Sequence, residues 1–193
     1  MAVTTRDRIL DTTAELFRRY GYTGTGLKQI VAEAQAPFGS IYHHFPGGKE
    51  QLGQEVILRS GGMYQELFET ILGASPDIVT GVRNLFEGAA DLLRQTDYAD
   101  ACPIATVALE VANSNEPLRM ATAEVFEGWI EAGAARFASA GVPGEKARDV
   151  AIVLITSLEG AFVLSRAMRD TEPVRVAGEA TVVALRAALR DAV

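Results

Sequence analysis

The chain offers no stretch that reads as a β-strand. No run of four to eight residues alternates apolar and polar side chains between turn signals, and Gly, Pro and Asn recur instead at intervals that leave helix-length segments. Arg6 to Tyr20 carries Ile9, Leu10, Thr13, Leu16, Phe17 and Tyr20 on one face at helical spacing. Thr4 with Asp7, or Thr5 with Arg8, starts it, and Gly21 stops it. Two short helices follow, Leu27 to Ala34 and, after Pro37, Gly39 to Phe45. Pro46-Gly47-Gly48 is a turn, and Lys49 opens a long helix to Leu72 in which Gly61-Gly62 permits a bend. Ser75-Pro76-Asp77 reads as a cap, a first-turn proline and a first-turn acid for a helix ending near Thr96. Cys102-Pro103, Asn115-Glu116-Pro117, Pro143 and Pro173 open four more, ending near Ala112, Ala140, Asp170 and the C-terminus. The expectation is an all-α fold of nine helices, three short ones in residues 1–48 and longer ones in 49–193.

Charge is divided along the same line. The whole chain of 193 residues carries a formal charge of −7. Residues 1–50 hold six basic residues (Arg6, Arg8, Arg18, Arg19, Lys28, Lys49) against five acidic ones, whereas the remainder holds 12 against 20. A general nucleic-acid coat is excluded by this balance; a site-specific binder is not, because only the local charge matters there. One cysteine, Cys102, excludes an internal disulfide and a Cys-cluster zinc site. The N-terminus has acids where a signal peptide needs an apolar run. The longest apolar stretch, Val150 to Leu164, contains Glu159 and is too short for a bilayer. A soluble, cytoplasmic protein with no membrane partner is expected.

Residues 27–45, LKQIVAEAQAPFGSIYHHF, fit two short helices joined by a tight turn. In a helix-turn-helix the second such helix enters the DNA major groove. Leu27, Ile30 and Val31 face inward, and Ile41 and Phe45 anchor the second helix from beneath. Phe38, Ser40, Tyr42, His43 and His44 are left to point outward, toward phosphates or base edges. Gly39 allows close backbone approach, and Lys28 adds a positive charge on the preceding helix. Lys49 can join its charge to the amides of a helix N-terminus at a phosphate, and Thr25 is placed to do the same one helix earlier. Periodicity alone leaves open three ordinary core-packing helices, since this geometry also occurs in bundles that bind no DNA.

The specific string resembles the TetR family of transcriptional regulators. The matching residues are Phe17, Gly21, Tyr22, Thr25, Ile30, Gly39, Ile41, Tyr42, His44, Phe45, Lys49, Glu50 and Leu52. FPGGKEQL and ADACPIATVALEVA are similar to the subgroup named for LmrA and YxaF. The resemblance implies an N-terminal three-helix DNA-binding domain (1–48), a C-terminal ligand-binding and dimerisation domain (49–193), and a repressor released by a small apolar or aromatic effector. Three departures stand out. Gln35 occupies a turn position where the family has Gly, so either a left-handed backbone there costs roughly 1 kcal/mol or the turn is shaped differently. The turn after Phe45 is one residue longer, and Phe38 replaces a basic residue, which either removes a DNA contact or substitutes an apolar one to a thymine methyl.

The same resemblance places Phe68, Phe86, Met120, Phe126, Trp129 and Phe162 around a ligand cavity, and aromatic walls with few polar groups are usual for one. Each of them also reads as ordinary core. The last two helices carry Val153, Ser157 and Ala161, and Ala180, Val183, Ala184 and Ala187, on faces poor in charge. A monomer would expose too much apolar area there, so a homodimer held by a four-helix bundle is expected, reading a near-palindromic double-stranded operator. Cys102 at a helix start invites a redox reading, but Asp97 and Asp100 oppose a thiolate and a small structural residue is favoured.

Chemistry has little to stand on. Both histidines lie in the recognition helix, which leaves no Ser-His-Asp site elsewhere. Glu110, Glu124, Glu127, Glu131 and Glu159 show no metal-ligand spacing with histidine, and no phosphate-cradling Gly-rich loop occurs. No catalytic residue, metal or cofactor is expected. The alternative is a helical carrier or enzyme with a vestigial helix-turn-helix.

Overall fold

Capping side chains and breakers divide the chain where the sequence indicates. The computed structural model describes residues 3–190. These residues hold nine α-helices and no strand: α1 (Thr5–Tyr20), α2 (Leu27–Glu33), α3 (Gly39–His44), α4 (Gly48–Ala74), α5 (Ile78–Gln95), α6 (Pro103–Val111), α7 (Glu116–Ser139), α8 (Gly144–Met168) and α9 (Glu172–Arg190). Thr4 caps α1 by accepting from the Asp7 amide at 3.1 Å. Gly21 ends that helix at φ 71°, a left-handed value that suits glycine. Asn115 caps α7, its Oδ1 accepting from the Leu118 amide at 3.0 Å.

One start differs from expectation. The cap of α5 is Asp77, not Ser75: its backbone is extended and its carboxylate accepts from Thr80 N at 2.9 Å and Thr80 Oγ1 at 2.7 Å. The Ser75 hydroxyl turns back and donates to Ile71 O, at the end of α4. Pro76 therefore stands before the cap rather than in the first turn.

The fold comprises two compact units. The first is Met1–Gly62 with Cys102–Val125; the second is Met63–Ala101 with Phe126–Val193. In the first, Ile9, Leu16, Phe17, Ile30, Ile41, Phe45, Leu52, Ile57, Val107 and Leu118 are almost completely buried. Gly61 is less a hinge than a close-packing point, because a Cβ there would lie 2.5 Å from the Val125 side chain. α4 runs unbroken through Gly61 and Gly62.

In the second unit α9 packs on α5 and α8. Val82, Leu85, Phe86, Leu93, Leu154, Leu158, Val182 and Leu185 join one buried cluster. Close approach of α9 to α5 depends on Gly178, where a Cβ would meet Phe86 Cβ at 2.8 Å. α8 is apolar enough, and long enough, to meet the length and composition of a membrane span, with mean hydropathy 1.7 over 18 residues. The sequence reading expected no such segment. Here the helix belongs to a core: Val150, Leu154, Leu158, Ala161 and Ser165 are buried, while a second apolar strip on it is left bare.

Candidate nucleic-acid interface

The first unit builds its polar surface from beneath. Ile30 and Ile41 have no exposed surface, and Val31 and Ala34 are buried beside them, so α2 and α3 each present one face to α1. The chain turns between them at Gln35, whose φ is 50°. Of the two outcomes the missing glycine leaves open, the left-handed backbone is the one present. Arg8 Nε steadies this turn by donating to Ala34 O at 3.2 Å. Phe45, fully buried, locks the end of α3, and Gly48 N closes the following turn on Phe45 O at 2.8 Å. Gly48 has φ 66°, so the longer turn needs its glycine.

With Ile41 and Phe45 pinned, the opposite side of α3 faces outward. Phe38 is 46% exposed and Tyr42 54%, and their rings meet edge to face at 6.3 Å. Gly39 and His43 are exposed beside them, Ser40 and His44 half-buried, and Lys28 exposed on α2. No atom lies within 4 Å of where a Gly39 Cβ would be, so nothing in the chain itself requires glycine there. These seven residues form one continuous segment of surface apart from Lys28, which stands on the neighbouring helix.

Two expected contacts point elsewhere. Thr25 is fully buried and its hydroxyl donates to Gly21 O at 2.7 Å, so its side chain ties the α1–α2 turn instead of facing a phosphate. Lys49 is half-buried. Its Nζ donates to Tyr22 O at 2.7 Å and sits 4.2 Å from the centre of the Tyr22 ring. Burial pushes the Lys49 pKa down, and the nearby Glu110 charge works against that shift. The ammonium must leave Tyr22 before it meets a phosphate. Arg6 and Arg8 are also engaged, Arg6 with Glu55 and the Phe45 ring, Arg8 with Ala34.

The aromatic set is divided as well. In the second unit a cavity of about 40 Å³ is walled by Phe68, Leu85, Trp129, Phe137, Leu154 and Ile155, with Gln65, Glu69 and Arg136 at its polar edge. Phe68 and Trp129 therefore line it. Phe126 touches Trp129 edge-on at 5.6 Å without reaching the wall. Phe86 is buried beneath Gly178, and Phe162 packs partly buried on the same core. Met120 belongs to the first unit and is 58% exposed, because Leu118, Ala121 and Thr122 take the inner face of α7. It does not line this cavity. A ligand with even one aromatic ring needs more room than this cavity holds, and side chains must move to admit it.

On α8 and α9, Val153, Ala180 and Val183 are exposed, and Ser157, Ala184 and Ala187 are half-buried. Ala161 is buried inside its own protomer and cannot meet a partner. The bare strip is instead extended by Val163, Leu164, Met168 and Val176, each more than half exposed, of which the sequence pattern singles out only Val176. Among the described residues no group of three or more His, Cys, Asp or Glu is arranged to hold a metal ion.

Comparison with known proteins places this geometry. A family described as "Bacterial regulatory proteins, tetR family" matches residues 9–56, covering α2, α3 and the start of α4. A second, "Transcriptional regulator LmrA/YxaF-like, C-terminal domain", matches residues 78–180. The chain belongs to the TetR family of helix-turn-helix transcriptional regulators. Within it the LmrA/YxaF-like group has relatives of nearly equal length. The regulator YxaF of Bacillus subtilis is 33% identical over 94% of this chain and 95% of its own. LmrA of the same organism is 30% identical over 88% and 90%. DhaR of a Mycobacterium, named a transcriptional repressor, is 27% identical over 88% and 86%. A TetR-family regulator from Legionella pneumophila has the same fold, with a TM-score of 0.83 over 93% of this chain and 96% of its own at 22% identity. TetR-family regulators bind operator DNA and dimerise, and the match over residues 9–56 spans α2 and α3.

Proposed function

We propose that this TetR-family regulator is a cytoplasmic homodimeric repressor, released from a near-palindromic operator by a small apolar or aromatic ligand. The observation that carries the DNA side is the outward strip of α3, Phe38-Gly39-Ser40 with Tyr42, His43 and His44, held by a fully buried Ile41 and Phe45. Lys28 flanks it, and Lys49 joins it once released from Tyr22. Residues 1–48 do the binding, and 49–193 supply dimer and ligand functions. The bare strips of α8 and α9 pair with those of a second copy in a four-helix bundle. A twofold axis then presents two α3 helices to half-sites about 34 Å apart.

Ligand release follows from α4, which contributes to both units. A ligand that widens the cavity beside Phe68 and Trp129 favours one course of α4 and so one separation of the recognition helices. Such coupling amounts to about 1–3 kcal/mol and is reciprocal. The naming of DhaR as a repressor supports the sign of regulation.

The test is binding of the purified chain to the DNA upstream of its own gene, measured by fluorescence anisotropy with and without ligands found by Trp129 fluorescence. An inducing ligand should bind the operator-bound dimer several-fold more weakly than the free dimer. Equal affinity for both overturns the induction mechanism. Binding that vanishes at modest salt and shows no preference for that DNA overturns the operator reading.

A further inference from the structure

The turn between α1 and α2 is held from two sides by residues remote in sequence. From α4, Lys49 Nζ donates to Tyr22 O. From α6, the Glu110 carboxylate accepts the Thr23 backbone N–H through Oε2 at 2.7 Å, across 87 positions of the chain. The other oxygen of Glu110 lies against Gly21, occupying the place a Cβ would take there. Gly21 is thus required twice, by its φ of 71° and by the carboxylate on its face. Thr25 completes the turn by donating to Gly21 O. The two remote elements are themselves joined after α6, where Asn115 Nδ2 donates to Glu50 Oε2 on α4 at 2.8 Å. All of these residues lie within the first compact unit.

We propose that Glu110 is a positioning residue for DNA recognition: by holding Thr23 N–H and the face of Gly21, it fixes the angle at which α2 and α3 leave α1. The inference rests on α3 being the recognition helix. α2 starts after Gly26 with no side-chain cap, so its course is set by the packing of Ile30 and Val31 and by the turn that precedes it. That turn's exposed amide is satisfied by α6. With one oxygen on an amide and the other in a glycine-shaped space, Glu110 has a geometric role at this turn. Lys49, drawn to the same turn, offsets its charge.

The two roles, geometry and charge, make opposite predictions for two conservative variants. Glu110→Gln keeps an oxygen at the Thr23 amide and removes the charge. Glu110→Asp keeps the charge and withdraws the carboxylate by one methylene. Both should be measured against a duplex selected by the wild-type chain from a random-sequence pool, with Thr23 amide exchange and the thermal midpoint alongside. The positioning role predicts that Glu110→Asp weakens binding about tenfold, the order of one lost charge-assisted hydrogen bond, and speeds Thr23 exchange. Glu110→Gln should stay within about threefold of wild type on the same scale, with Thr23 protected and its thermal midpoint near wild type. Tighter binding by Glu110→Gln with wild-type binding by Glu110→Asp would mean that only charge matters, and would overturn the proposal. Unchanged Thr23 exchange in Glu110→Asp would overturn it without reference to DNA.

Discussion

Val183 on α9 is 64% exposed, on a strip that continues through Val176 and Ala180. Replacing it with Asp tests the dimer directly. Burying a whole Val side chain is worth about 1.5–3 kcal/mol, so the exposed two thirds of this one are worth about 1–2 kcal/mol on the same scale. A twofold axis counts the loss twice, about 2–4 kcal/mol, which is roughly 30- to 1,000-fold in the dissociation constant of the dimer. Two carboxylates brought toward the axis add to the loss. The protomer should be unharmed, since an exposed substitution away from special contacts changes stability by about 0.5 kcal/mol or less. Sedimentation velocity at micromolar concentration should show a dimer for the wild type and a monomer for Val183→Asp, with unchanged far-UV circular dichroism. Operator binding should fall with the dimer. A dimer constant within tenfold of wild type refutes the assignment of this strip to the interface.

Further outcomes follow from single residues. Tyr42→Ala should weaken all duplexes to a similar degree and leave the thermal midpoint nearly unchanged, because Tyr42 is 54% exposed, with its ring edge-on to Phe38. Wild-type operator binding by that variant removes Tyr42 from the interface. Gly178→Ala and Gly88→Ala, both inside helices, should move stability in opposite directions. The first drives a Cβ to 2.8 Å from Phe86 Cβ, an overpacking cost of about 1–3 kcal/mol that outweighs roughly 1 kcal/mol of helix propensity. The second meets nothing within 4 Å and should gain about 0.5–1 kcal/mol; equal shifts in urea midpoints would contradict the packing argument. The Thr80 hydroxyl and then its amide, both donating to Asp77, hold that carboxyl below its usual pKa. Its stabilisation is present above the unfolded-state value of about 4 and is lost as pH falls below it. Thermal midpoints should therefore drop more steeply from pH 5 to pH 2 in wild type than in Asp77→Asn, and parallel curves would exclude the linkage.

Local chemistry made most of the helix ends legible in the sequence. Thr4, Gly21, Pro103 and Asn115 act on backbone groups within four residues, and their effect does not depend on the rest of the fold. Ser75-Pro76-Asp77 was harder because two adjacent residues can both cap, and the choice rests on which one finds a donor: Asp77 found Thr80, while Ser75 served the end of α4. The helix-turn-helix was legible for a related reason. Ile41 and Phe45 are four apart, so one helical face sinks both and the intervening polar residues are turned outward by geometry.

What the sequence left undecided was direction at long range. Thr25 and Lys49 were expected to reach outward, and both turned in, because the α1–α2 turn offered carbonyls at Gly21 and Tyr22. Glu110 gave no signal at all, its partner Thr23 being 87 positions away. Met120, Phe86 and Ala161 were placed by type, and packing sent them to solvent, beneath Gly178 and into the protomer core. α8 shows the reason most clearly. It is apolar around most of its circumference, so hydrophobic periodicity cannot select a face. Capping and turn chemistry are short-ranged and are settled by neighbours in the chain. Which side of an evenly apolar helix is buried depends on what arrives beside it, and here α5 and α9 took the side of Leu154, Leu158 and Ala161 and left Val163 and Leu164 exposed.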